Sequence, residues 1–149
     1  MFDPALDATT RRRVLSAMGP WGQAGFILTP WTNESSYVYI ATAYNKSQPW
    51  VCAAYVGMQM QGRNYYYAGS QCRTRDYVHE WGHVIGILHE HGRNDRDQYV
   101  ILTSNDSAYA VVGSTGYEVG SYDFDSIMHY DAYGRSGGGD DSGRVSDDS

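Results

Sequence analysis

The sequence predicts an α+β fold, and three observations predict it. β-forming residues crowd the stretch from Phe26 to Ala68. A three-to-four residue apolar spacing, the signature of a helix, runs from about Arg75 to Gly86. A second helical stretch precedes the strands, from Asp7 to Met18. Both element types share one chain of 149 residues, a length that suits a single domain. Such a chain buries roughly 68–70% of its unfolded surface, enough for a core.

The first helix is expected to be capped by Thr9 or Thr10 and stopped by Gly19-Pro20. Phe26-Ile27-Leu28 reads as a short strand, and Tyr37-Val38-Tyr39-Ile40 as a stronger one. Residues 45–49 read as a loop, and residues 51–58 as another strand. Asn64, Tyr65, Tyr66, Tyr67 and Ala68 form a further strand. Alternate strand residues face opposite sides, so the three adjacent tyrosines cannot all be core. Val78, Trp81 and Ile85 give the helix after it one apolar face, and Gly86 terminates it. Residues 92–98 are turn-like, and Tyr99 to Leu102 resumes an apolar pattern. Residues 134–149 are mostly Gly, Ser and Asp, and are expected to form a disordered tail in which Arg135 and the GGGDD run from Gly137 carry no site.

Charge and composition exclude several functions. The formal charge is −6, which argues against binding nucleic acid through its phosphates. The acid surplus lies wholly after Tyr117, where eight acids face two arginines. A hydrophobic content of 42% excludes wholesale disorder. No apolar run reaches the roughly 18 residues of a membrane span, and no signal peptide is visible. Cys52 and Cys72 do not have the spacing of a metal site; two buried thiols and one disulfide in an exported protein both remain open.

All five histidines lie between His79 and His129. Residues 79–91 read HEWGHVIGILHEH. On a helix, His79 and His83 project from one face a turn apart, so two imidazoles can meet one zinc at about 2.0–2.1 Å. Glu80 rotates to the rim of that face, where a carboxylate reaches a water without ligating the metal. Gly86 can take a positive φ and turn the chain, which delivers His89 as the third ligand. The spacing H-E-x-x-H-x-x-G-x-x-H is the metzincin pattern. Met128, in Ser126-Ile127-Met128-His129-Tyr130, can form an apolar floor under the imidazoles, with Tyr130 two residues on. His91 and His129 are read as neighbours without a metal role, and Trp81 as core.

The chain resembles the astacin zinc endopeptidases, a branch of the metzincins. The likeness rests on residues 79–91, on Arg93-Asn94-Asp95-Arg96-Asp97-Gln98-Tyr99-Val100, and on residues 122–130. Cys52-Ala53-Ala54-Tyr55-Val56-Gly57 and Cys72 add to it. The resemblance implies a zincin-like catalytic domain: a twisted N-terminal sheet, an active-site helix and a shortened C-terminal subdomain. It places a peptidase domain at residues 1–133, with subdomains of about 1–89 and 90–133. It implies one Zn2+ on His79, His83 and His89, with Glu80 as general base and proton shuttle. Tyr130 becomes the residue that swings from zinc to the oxyanion, and Met128 the floor. Asn64, Tyr65, Tyr66, Tyr67 and Ala68 become the edge strand on which a protein or peptide substrate lies. Glu90 becomes the buried acid that the family's mature N-terminus reaches, although this chain starts short of that N-terminus and nothing in it is expected to meet Glu90; Cys52–Cys72 becomes a disulfide, which favours a secreted protein. The family's second disulfide and longer segment after the Met-turn have no counterpart here. That departure suggests a shortened or incomplete domain, and a catalytically impaired zinc module as the alternative function. The sequence sets no oligomeric state.

Overall fold

A computed structural model describes residues 1–45, 47–60, 62–102, 107–113 and 116–130. The expected tail, with Arg135 and the GGGDD run, lies outside the described residues. Helix α1 spans Ala8–Ser16. Its cap is Asp7 rather than Thr9 or Thr10: the Asp7 carboxylate accepts from the Thr10 amide at 2.9 Å and the Thr10 hydroxyl at 2.6 Å. Those bonds hold the Asp7 carboxyl below its usual range. Gly19-Pro20 does not only end a helix. It opens a second one, α2, at Gly19–Gln23, because proline's fixed φ and missing N–H suit a first turn.

Three strands follow: β1 at Ser36–Thr42, β2 at Ala53–Ala54 and β3 at Gly62–Ala68. The sheet order is β1-β3-β2. β1 and β3 are parallel, from Ser36 opposite Gly62 to Thr42 opposite Ala68. β2 is antiparallel to β3, with Ala53 opposite Tyr67 and Ala54 opposite Tyr66. Phe26-Ile27-Leu28 is not a strand, and Ile27 is 83% exposed. The outer edge of β1 is held at Ile40 by the chain start: the Ile40 amide donates to Met1 and the Asp3 amide to Ile40, both at 2.9 Å. The strand expected over residues 51–58 contracts to Ala53–Ala54.

Alternation on β3 sorts the tyrosine run. Asn64, Tyr66 and Ala68 point inward and are buried. Tyr65 and Tyr67 stand on the outer face, their rings stacked at 5.5 Å. The inner face packs against α1 and against α3, which spans Thr74–Val84. Trp81 is the centre of that core, as expected, and its indole N–H donates to the Val14 carbonyl at 2.8 Å. Tyr66 donates to Tyr77 O at 2.9 Å and Tyr77 to Gly69 O at 2.6 Å, so both buried hydroxyls are satisfied. Cys52 and Cys72 are disulfide-bonded, 20 residues apart, which ties the start of β2 to the loop before α3. Closing a loop of that size contributes on the order of 3 kcal/mol. Beyond α3 the described residues form only three 3₁₀ turns, at Glu90–Gly92, Arg96–Gln98 and Ser107–Tyr109.

Candidate active site

Helix α3 starts at a capping box: the Asp76 side chain accepts from the Arg73 amide at 2.7 Å. It ends where Gly86 takes φ +99, as the sequence requires of a sharp exit. The Gly86 amide closes on His83 O at 2.9 Å and the Ile87 amide on Gly82 O at 2.9 Å. The chain then returns His89 to the helix. Its Nε2 lies 3.1 Å from Nε2 of both His79 and His83, and the three ligand atoms fall within 4.8 Å of one another.

The tautomers are set from behind. His79 Nδ1 is 2.7 Å from Ile127 O, and His83 Nδ1 is 2.9 Å from Ile87 O. A carbonyl only accepts, so each Nδ1 carries the proton and each Nε2 presents a lone pair. Burial lowers all three histidines, His83 to about 4 and His89 to about 3, with neighbouring imidazoles adding to the effect on those two. They are neutral near pH 7, as metal ligands must be. Converging lone pairs cannot hydrogen-bond one another, but they match the three-imidazole set of a catalytic zinc. The residues present fit one zinc ion.

Glu80 stands beside them, 5% exposed. Its Oε2 is buried without a hydrogen-bond partner, and the Ala54 backbone nearby draws the carboxyl down a little. Burial first, and the Asp76 charge second, push its carboxyl up to about 8. A buried polar oxygen without a partner is uncommon in a folded protein.

Met128 is buried under α3 as expected. Its carbonyl accepts from the Glu90 amide at 3.1 Å. Gly82 is the residue that sequence reasoning missed. A Cβ there would overlap Met128 Sδ and stand 3.1 Å from Trp21 Cζ2. The one available signal was a glycine inside a helix, where it is unfavourable without a packing reason. Tyr130 reaches the triad, its ring 4.4 Å from that of His89. His91 and His129 stay outside the triad; His129 Nε2 is 2.6 Å from the Tyr122 hydroxyl.

One site expectation is corrected. Asn64, Tyr65, Tyr66, Tyr67 and Ala68 are not an edge strand but the centre of the sheet, with β1 on one side and β2 on the other. The Tyr55 amide donates to Tyr65 O at 3.1 Å and Asn64 Nδ2 to Gly57 O at 2.7 Å, so that flank is used too. The edge beside Glu80 is β2. Glu90 lies on the first 3₁₀ turn. Its carboxylate takes Arg93 at 3.4 Å and the Asp123 amide at 3.0 Å, while the Met1 ammonium donates to Val38 O at 2.7 Å on β1.

A zinc-binding helix with its third histidine past a glycine, floored by a buried methionine, belongs to the metzincin class of metallopeptidases. The family model for astacin, a peptidase family, matches residues 1–142, so the chain belongs to the astacin family. It is 33% identical over 144 residues to Nematocyst expressed protein 6 of Nematostella vectensis, covering 89% of this chain and 48% of that one. It is 40% identical over 108 residues to Tolloid-like protein 1 of Homo sapiens, covering 66% of this chain and 10% of that one. The chain thus spans about half the length, or less, of these curated relatives. Among solved structures, High choriolytic enzyme 1, a hatching enzyme zinc-protease from Oryzias latipes, shares the fold. The TM-score is 0.68 at 20% identity, over 87% of this chain and 66% of that one. Among the described residues, no helix is long and apolar enough to cross a membrane.

Proposed function

We propose that the chain is a zinc-dependent endopeptidase acting on proteins or peptides, with Glu80 and Tyr130 as its catalytic residues. The observation that carries this reading is the buried, unpartnered Glu80 Oε2 beside the three imidazoles. Holding zinc needs no such carboxylate; hydrolysis does. His79, His83 and His89 would hold the ion. When bound, zinc acidifies a water and polarises a carbonyl.

Glu80 Oε2 would take the proton of an attacking water as the water oxygen adds to the peptide carbonyl. A carboxyl near the working pH takes and returns a proton readily. The same oxygen then passes the proton to the leaving amine as the C–N bond breaks, giving a free amine and a new carboxylate. The Tyr130 hydroxyl donates to the oxyanion, an interaction that grows in the transition state. The outer edge of β2 offers main-chain groups to an extended peptide, in place of the central strand first expected. The Cys52–Cys72 disulfide favours an exported protein.

The test is digestion of a peptide library with and without a chelator, beside the variant Glu80→Gln. We expect cleavage that chelation stops, and a variant that keeps zinc but does not cut. A variant that cuts as fast as the parent removes Glu80 from the reaction.

A further inference from the structure

We propose that His91 is a positioning residue that holds Tyr130 at the edge of the three-imidazole site. The proposal rests on Tyr130 taking part in the reaction, as argued above. His91 lies on the first 3₁₀ turn, two residues past the third ligand, and is 2% exposed. Its two ring nitrogens meet opposite chemistry. Nε2 is 3.2 Å from the Ala108 carbonyl, which only accepts. Nδ1 is 3.3 Å from the Tyr130 amide, which only donates. One neutral tautomer, protonated at Nε2, satisfies both.

The ring also fills the space beside the Tyr130 ring, at 4.2 Å and 36°. On the other side it stacks on His89, at 4.8 Å and 20°. His91 therefore pins both the main chain and the ring of Tyr130, and it ties them to a metal-facing imidazole. It is itself anchored, because Arg96 Nη1 donates to its carbonyl at 3.0 Å. No regular element does this work, since Tyr130 follows a turn and not a helix or strand. Tyr109 meets the Tyr130 ring edge-on and farther off, at 6.0 Å. A hydroxyl that stabilises developing charge needs its place fixed to within about 0.5 Å.

The experiment uses zinc-loaded protein and three variants. His91→Phe keeps a ring in the slot but has no acceptor for the Tyr130 amide. His91→Asn keeps an acceptor near the position of Nδ1. Tyr130→Phe removes the hydroxyl. We expect His91→Phe to lower kcat about tenfold to hundredfold, as misplacement of a catalytic group does. KM and zinc content should stay within about twofold. His91→Asn should recover most of the loss. Hydrogen exchange at the Tyr130 amide should speed up in His91→Phe and not in His91→Asn. In the Tyr130→Phe background, His91→Phe should cost nothing further, because it acts only through the lost hydroxyl. Equal losses in both backgrounds overturn the proposal, as does an unchanged Tyr130 amide. If Tyr130→Phe leaves kcat unaltered, the catalytic reading of Tyr130 falls, and exchange at its amide still decides whether His91 holds it. Should His91→Phe not fold, His91→Leu replaces it, since it too fills the slot without an acceptor.

Discussion

Replacing Glu80 with glutamine should stabilise the metal-free protein in mild alkali while it abolishes hydrolysis. The buried carboxyl is pushed from 4.5 up to about 8. An unfolded chain loses that proton near 4.5, the folded chain near 8. The raised pKa therefore contributes stability that is full below about pH 4.5 and is lost progressively up to about pH 8. At about 1.4 kcal/mol per unit, the charged form costs the fold up to roughly 5 kcal/mol. The glutamine side chain carries no charge, so the cost is removed; its amide N–H leaves a buried donor unpaired, which returns about 1–3 kcal/mol. The variant should exceed the parent by roughly 2–4 kcal/mol above about pH 8 and lose that advantage toward about pH 4.5. Urea unfolding of both proteins in chelator, from about pH 4 to 9, measures the difference. The histidines titrate in both and cancel. A difference that does not change with pH, or a variant less stable than the parent at the alkaline end, refutes the assignment of a desolvated carboxylate.

Three further outcomes follow from the geometry. Gly82→Ala should destabilise the fold by about 1–3 kcal/mol, because its Cβ overlaps Met128; thermal unfolding checks this, and a faster loss of zinc to a chelator would show that the floor has moved. Replacing Cys52 and Cys72 together by Ala should cost about 3 kcal/mol in denaturant unfolding. With His83 lowered to about 4 and His89 to about 3, protons compete poorly for the triad; dialysis against free zinc should show little loss of bound metal between about pH 7 and 5.

The parts legible in the sequence are those fixed by local geometry. His79 and His83 are one helical turn apart whatever surrounds them, and Gly86 at φ +99 needs no neighbour to make it a turn. Strand order is different in kind. Residues 64–68 read as a good strand and are one, but their place is set by pairing with residues 36–42 and 53–54, far away in sequence. Nothing local tells a central strand from an edge. The same holds for Phe26-Ile27-Leu28, which reads locally as a strand but pairs with none of the three strands.

The corrected edge alters the reading of the site more than it alters the fold. With β3 in the centre, the strand beside the Glu80 carboxylate is β2, whose Ala54 backbone draws the carboxyl down against the larger push of burial. β2 also packs directly against α3, which carries Glu80. On the proposed reading, a substrate strand laid along β2 would be placed relative to Glu80 by that packing, not by a loop. Ala54 suits the position because its small side chain, partly buried against the core, lets the strand approach α3 closely. On the proposed reading its main chain, not its side chain, would face the substrate, which is why no residue type in 53–54 advertised it.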